Sequence, residues 1–139
     1  PCAWGRVFLP FGAGESQQRL IPSLIAALRG QRSPFGINAS AYRDFLHASD
    51  VAEGLVTLLQ PRAQGAYNIS SGQPVQLQAL VRQLAQALQA DPEPLLALAS
   101  ERTGEPALLV GDPQRLQALG WRPACSLEQA LRQTIQEIL

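Results

Sequence analysis

Tyr42-Arg43-Asp44-Phe45-Leu46-His47-Ala48-Ser49-Asp50-Val51-Ala52 is the stretch on which the reading of the chain turns. Its first five residues read as a short extended piece. They pair in style with Pro34-Phe35-Gly36-Ile37, across the small polar turn Asn38-Ala39-Ser40. Within a few residues the pattern becomes helical. Asp50 has an N-cap side chain, and Glu53 three positions on supplies the other half of a capping box. Val51, Ala52, Leu55, Val56 and Leu59 then form a buried helical face that Pro61 ends.

The segments on either side alternate in the same way. Cys2 to Leu9 is apolar, with Trp4, Val7 and Phe8, and reads as a buried strand stopping at Pro10. Phe11 to Ser16 is a glycine-bearing loop. Leu20, Ile21, Leu24, Ile25 and Leu28 recur at helical spacing up to Gly30, placed as a C′ residue. Gly65 to Ser70 reads as a strand entering the turn Ser71-Gly72-Gln73-Pro74. Leu77, Leu80, Val81, Leu84, Ala85 and Leu88 then form one continuous stripe with glutamines and Arg82 opposite. Asp91 to Pro94 is a loop, Leu95–Ala99 is a strand or a short helix, and Ala107–Val110 is a strand. Asp112-Pro113 opens a helix with a cap acceptor and a proline at N1, running to Leu119. Ser126-Leu127-Glu128-Gln129 is a capping box for a last helix carrying Leu127, Ala130, Leu131, Thr134, Ile135 and Ile138. Helices alternating with isolated strands mean α/β or α+β, with too few strands for a complete doubly wound sheet.

Composition excludes several chemistries. The 139 residues carry 11 basic and 11 acidic side chains, and every basic one is arginine. Without lysine, no Schiff-base enzyme, P-loop NTPase or tyrosine–lysine dehydrogenase is complete in this chain. A net charge of +0 argues against a nucleic-acid surface. No apolar run approaches the roughly 18 residues of a membrane span, and Arg6 with its following glycines does not build a secretory signal. Cys2 and Cys125 stand far apart in no metal-like spacing, which favours free thiols in a reducing cytoplasm over a disulfide. The absence of methionine points to a piece of a longer chain.

Five motifs in order resemble the C-terminal half of the NAD-dependent epimerase/dehydratase family, in the extended short-chain dehydrogenase/reductase superfamily. Arg6-Val7-Phe8-Leu9-Pro10-Phe11-Gly12-Ala13-Gly14 is similar to the family's Arg-x-Phe-Asn-x-Tyr-Gly-Pro-Gly, and Leu20-Ile21-Pro22 to its Leu-Ile-Pro helix start. The 42–52 stretch resembles Arg-Asp-Phe-Val-His-Val-Asp-Asp-Val-Ala. Gly65-Ala66-Tyr67-Asn68-Ile69-Ser70-Ser71-Gly72 resembles Gly-x-Tyr-Asn-Ile-Gly-Ser-Gly, and Leu119-Gly120-Trp121-Arg122-Pro123 resembles Leu-Gly-Trp-x-Pro.

The resemblance implies an α/β (α+β) fragment, with residues 1–139 a single substrate-binding domain. It would carry two strands, near Val7 and Tyr67, of a nucleotide-binding sheet whose remainder is missing. The family's Gly-x-x-Gly-x-x-Gly turn and Tyr-x-x-x-Lys pair lie upstream of the Arg-x-Phe strand and do not occur here. Tyr42 and Tyr67 are followed four positions on by Leu46 and Ser71. A parent would use NAD or NADP to oxidise a sugar hydroxyl, then epimerise, eliminate or reduce. This chain alone would bind no cofactor and be inactive. Its implied partners are a nucleotide-sugar substrate, the missing N-terminal Rossmann domain and, in any homodimer, a second copy joined through orphaned strand edges; nucleic acid and membrane are not among them.

The same resemblance names site residues. Arg43 would fork onto a nucleotide diphosphate, against the alternative of an ion pair with Asp44 or Asp50. Arg102, in Glu101-Arg102-Thr103-Gly104-Glu105, would be a second diphosphate arginine, or else an exposed loop residue. Arg19 and Leu20 would line the pocket ahead of the helix proline, Leu20 being equally a core residue. Phe35 and Ile37 would wall the nucleobase, although an ordinary core strand looks the same. Phe8 would lie near the nicotinamide or in the core. Leu9 replaces an asparagine that contacts substrate, Phe11 a tyrosine and Ala13 a proline. His47, the only histidine, reads as structural, and no protein metal site is expected. Two other readings stay open: a stand-alone binding module, and a relative reducing a non-sugar carbonyl.

Overall fold

The computed structural model describes residues 2–138. In chain order it contains β1 (Ala3–Val7), β2 (Pro10–Phe11), α1 (Leu20–Leu28), β3 (Tyr42–Arg43), β4 (Leu46–His47), α2 (Ala48–Thr57), β5 (Gly65–Ile69), β6 (Val75–Gln76), α3 (Leu77–Leu88), α4 (Glu93–Leu96), β7 (Leu108–Leu109), α5 (Gln114–Gln117) and α6 (Leu127–Ile138). The strands form three small sheets. β1 and β5 pair in parallel from Ala3↔Gly65 to Val7↔Ile69; β2 and β4 pair in parallel; β3 lies between antiparallel β6 and parallel β7.

Two apolar cores result. The larger gathers Leu24 and Ile25 of α1, Leu80, Val81 and Leu84 of α3, Leu95 of α4 and Leu131 and Ile135 of α6. The α3 stripe accordingly faces inward as its spacing requires, with Leu80, Val81 and Leu84 fully buried. Gly30 ends α1 at φ +71°, the left-handed C′ geometry anticipated for it. At α6 the Ser126–Gln129 capping box closes both ways: Gln129 N–H donates to Ser126 Oγ (3.3 Å) and Ser126 N–H to Gln129 Oε1 (2.9 Å). Leu95 falls in a short helix rather than a strand, and Leu108–Leu109 is a strand.

The smaller core puts α2 against the β1–β5 pair around Tyr67, Ile69, Leu116 and Trp121. Gly54 makes that approach possible: a Cβ there would come within 2.9 Å of Ile69 Cγ2 and 3.4 Å of Leu116 Cδ2. Here three expectations fail. The helix starts at Ala48, so its cap is His47, whose Nδ1 accepts from Ser49 N–H (3.4 Å) and lies 2.8 Å from Ser49 Oγ. Asp50 is therefore inside the first turn and buried. Leu55, Val56 and Leu59 are exposed rather than buried, at 48%, 59% and 81%. β1 is not a buried strand either, since Trp4 is 69% exposed. The two exposures share a cause: β1 pairs along one edge only, and the surface formed by β1 and the outer side of α2 has nothing packed on it among the described residues. The 34–37 segment joins no sheet.

Two buried carboxylates tie the loops to this frame. Asp44, fully buried, accepts from the N–H groups of Ser71 (2.9 Å), Gly72 (3.0 Å) and Gly111 (3.1 Å) and from the Ser71 hydroxyl (2.5 Å). Asp50 receives the Ala124 N–H at Oδ1 (2.8 Å), and its carbonyl takes the Trp121 indole N–H (3.1 Å), so α2 anchors the entry to α6. The Cys125 sulfur lies 3.8 Å from Asp50 Oδ2. Burial, then the Asp50 charge and then that contact push the Cys125 thiol above the ordinary value of 9.0. Cys2, by contrast, is an exposed free thiol.

Asp44→Ala should cost about 3–5 kcal/mol, because it leaves several buried donors unpaired. Urea unfolding would show an earlier midpoint at unchanged slope; a loss under about 1 kcal/mol would mean that water replaces the carboxylate. For Cys125, the fold favours the protonated thiol. Its stabilising contribution is therefore complete below the unfolded thiol's range and disappears as pH rises through the elevated value. Iodoacetamide at pH 8 should modify Cys2 well before Cys125, and Cys125→Ser should remove an alkaline decline in melting temperature.

Candidate functional site

Between α1, the 33–38 segment and β3 lies an open cavity of about 500 Å³. It is within the range of small-molecule sites. The fold delivers its walls by simple means. Leu9, Pro10 and Phe11 come from the end of β1 and from β2, held because Leu46 N–H donates to the Leu9 carbonyl (3.1 Å). Arg19, Leu20 and Ile21 come from the first turn of α1. Arg43 sits on β3, and Arg102 and Glu105 reach in from the loop before β7.

Arg43 is pinned before any ligand arrives. Its Nη1 donates to the carbonyls of Tyr42 (2.8 Å) and Pro106 (2.8 Å), and its side chain is 12% exposed. Neither Asp44 nor Asp50 is its ionic partner. That partner is Glu105, whose Oε2 lies 3.6 Å from Arg43 Nη2 and also accepts from Asn38 Nδ2 (3.4 Å). The other Glu105 oxygen meets Arg102 Nη1 at 3.3 Å, while Arg102 Nη2 donates to the Gly36 carbonyl (2.9 Å). One glutamate thus bridges two arginines and holds the 36–38 segment beside them.

Two more ion groups complete the lining. Arg32 Nη1 donates to Ser23 Oγ (2.8 Å), and its guanidinium stands 5.0 Å from the Phe35 ring centroid. Glu15 Oε1 receives Arg19 Nε (3.2 Å), whereas Glu15 Oε2 is buried with no partner. Four arginines face two glutamates, a net of +2 in a partly desolvated cleft. Such a field suits a ligand with two negative charges and at least one planar or apolar part.

Six of the seven residues singled out from the sequence come together here: Arg19, Leu20, Phe35, Ile37, Arg43 and Arg102 all line this cavity. Ile37 is also core, at 3% exposed. Phe8 stands apart. It lies past the end of β1, its N–H donating to the Ile69 carbonyl (3.1 Å) and its ring against Gly111. Sequence reasoning gave no role to Glu15, Arg32, Asn38 or Glu105. Glu105 was within reach, three residues after Arg102 in a loop with glycine at 104; nothing local marked Glu15 or Arg32. His47 is 6% exposed and caps α2, in line with a structural reading. No cluster of three His, Cys, Asp or Glu suited to a metal occurs among the described residues.

The family model described as GDP-mannose 4,6 dehydratase matches residues 8–134. The chain belongs to the NAD-dependent epimerase/dehydratase family. Its fold is that of the extended short-chain dehydrogenases/reductases. It is 28% identical over 127 residues to the trifunctional UDP-glucose 4,6-dehydratase/UDP-4-keto-6-deoxy-D-glucose 3,5-epimerase/UDP-4-keto-L-rhamnose-reductase of Arabidopsis thaliana, covering 90% of this chain and 19% of that one. Among solved structures it superposes on the UDP-glucose 4-epimerase of Thermotoga maritima, solved with UDP-glucose, at a TM-score of 0.87 and 19% identity. That match covers 98% of this chain and 45% of the epimerase. It also superposes on MoeE5 in complex with UDP-glucuronic acid and NAD at 0.82 and 26% identity, covering 98% and 46%. The chain therefore spans less than half the length of these relatives. No helix among the described residues is long and apolar enough to cross a membrane.

Glu105, whose side chain is 35% exposed, should contribute little to folding. Glu105→Gln is expected to change stability by no more than about 1 kcal/mol. A larger loss of melting temperature would show the arginine bridge to be a structural strut rather than a feature of the cavity.

Proposed function

We propose that this chain is the substrate-binding part of an NAD(P)-dependent nucleotide-sugar epimerase or dehydratase. The observation that carries the proposal is the Arg43–Glu105–Arg102 cluster within a cavity of net charge +2. A diphosphate arriving there meets two guanidiniums already oriented, and charge-assisted, forked contacts to phosphate replace those to one carboxylate. Phe35 and Ile37 wall the base beside them, and Arg19 and Leu20 close the cavity at the start of α1. The relatives' names, which specify UDP-sugar chemistry, support this choice of ligand class.

The residues present do not suffice to hold a dinucleotide. Gly12-Ala13-Gly14 lies in a loop, and α1 begins only at Leu20, so these glycines do not form a phosphate turn opening a helix. Phe8, at the carboxyl end of β1 and away from the cavity, is the one side chain here proposed to approach a nicotinamide. In this reading residues 1–139 form one domain. The parent's dinucleotide-binding half extends the β1–β5 pair across the open edge and covers Trp4, Leu55, Val56 and Leu59. The chain alone is expected to be inactive, the parent cytoplasmic, and a homodimer of the isolated chain would use those same open edges.

Calorimetric titration of the intact protein carrying this chain with UDP-, GDP- and dTDP-sugars tests the assignment. Arg43→Ala should weaken the preferred ligand by about 10- to 100-fold, the worth of a charged contact to phosphate. Unchanged affinity would sink it. A full-length protein that binds none of the three would favour a stand-alone module or a reductase of a non-sugar carbonyl, the reading that Leu9, in place of an amide, keeps open.

A further inference from the structure

Resting on that reading, we infer that Glu15 is the residue that selects the glycosyl group, favouring a neutral, hydroxyl-bearing sugar and rejecting an anionic uronic acid. The placement follows from the other stations of the cavity. With Arg43, Arg102 and Glu105 assigned to the diphosphate and Phe35 to the base, Leu9 and Glu15 are among the lining residues left for the glycosyl group. Both follow β1 in the chain, and the carboxyl end of parallel strands is where ligands meet the reacting centre.

Leu9 can offer that group no hydrogen bond from its side chain, and its carbonyl is already taken by Leu46. Glu15 has capacity to spare. Its side chain is 16% exposed, Oε1 is engaged by a single Arg19 nitrogen, and Oε2 is buried without any donor. A carboxylate oxygen withdrawn from water and left unpaired is costly, and the cost is relieved by a ligand that brings a donor. Glu15 lines the cavity, so a ligand there can bring a donor within reach of Oε2. A sugar hydroxyl supplies the missing donor. A sugar carboxylate supplies none and sets a second negative charge beside the first. Arg19 does not offset this, because its Nε is already bound to Glu15 and half of its side chain faces solvent.

The experiment compares the glucose and glucuronate conjugates of whichever of UDP, dTDP and GDP the intact protein binds, by titration calorimetry, in wild type, Glu15→Gln and Glu15→Ala. Wild type should bind the glucose conjugate at least ~10-fold more tightly than the glucuronate. Glu15→Gln, isosteric and uncharged, should bring the two within about 3-fold, mainly by improving the glucuronate; a merely structural role for Glu15 would not produce that gain. Glu15→Ala should lose affinity for the glucose conjugate while keeping that for the bare nucleoside diphosphate. A glucose-to-glucuronate ratio that Glu15→Gln leaves unchanged, or a wild type that prefers glucuronate, overturns the role of Glu15 while the nucleotide-sugar reading stands. Failure of all three diphosphates and their glucose conjugates to bind wild type overturns the nucleotide-sugar reading itself.

Discussion

The carboxylate of Asp44 holds three separated pieces of chain together. It sits between β3 and β4 and gathers the backbone of Ser71 and Gly72 after β5 and of Gly111 after β7. Without it the buried Gly111 N–H and the part-buried N–H groups of Ser71 and Gly72 would lose this partner, a cost that packed structures avoid. The neighbouring residue, Arg43, points the other way into the cavity and is fixed by the carbonyls of Tyr42 and Pro106. Successive residues of an extended strand face opposite sides. One dipeptide therefore performs two tasks: its acid locks the scaffold, and its base is presented by the strand that the acid has immobilised.

How much of this could be read from the sequence depended on the range of the interaction. The α3 stripe and the α6 capping box are local, set by spacing and by side chains three residues apart, and both appear as expected. The start of α2 was misread because two acceptors competed for the cap; His47 won, which freed Asp50 to bind the chain some seventy residues later at Ala124. The exposure of Leu55, Val56 and Leu59 was invisible to periodicity, since a stripe records that a face seeks cover and not whether cover is present. In the site, Arg19, Arg43 and Arg102 were found through motif resemblance. Glu15 and Arg32 were not, because their significance depends on a cavity assembled from distant segments.

The same distinction separates the two cores. The larger one, among α1, α3, α4 and α6, is closed on itself, as its fully buried leucines show. The smaller one is closed on the Trp121 and Leu116 side and open where β1 and α2 face outward. The parallel β1–β5 pair has no further strand on either edge, and its exposed Trp4 contrasts with parallel sheets in general, which are covered on both faces. The cavity is walled by the closed part, with Phe11, Ile21, Ile37 and Phe45 shared between them, so the geometry of the arginine cluster does not depend on cover over β1 and α2.

That independence bears on how the site handles charge. Four guanidiniums lining one cleft repel one another, and without counter-charges they would spread into solvent or destabilise the loops that carry them. Glu105 and Glu15 settle the problem at two places with different consequences. Glu105 is partly exposed and shared by two arginines and Asn38, so it can yield them to a stronger anion at modest cost. Glu15 is more deeply set and holds a single arginine with one oxygen idle, so releasing it would strand a carboxylate. On the proposed reading an incoming phosphate would displace the first and leave the second in place, dividing the cleft into a side that exchanges anions and a side that keeps its own.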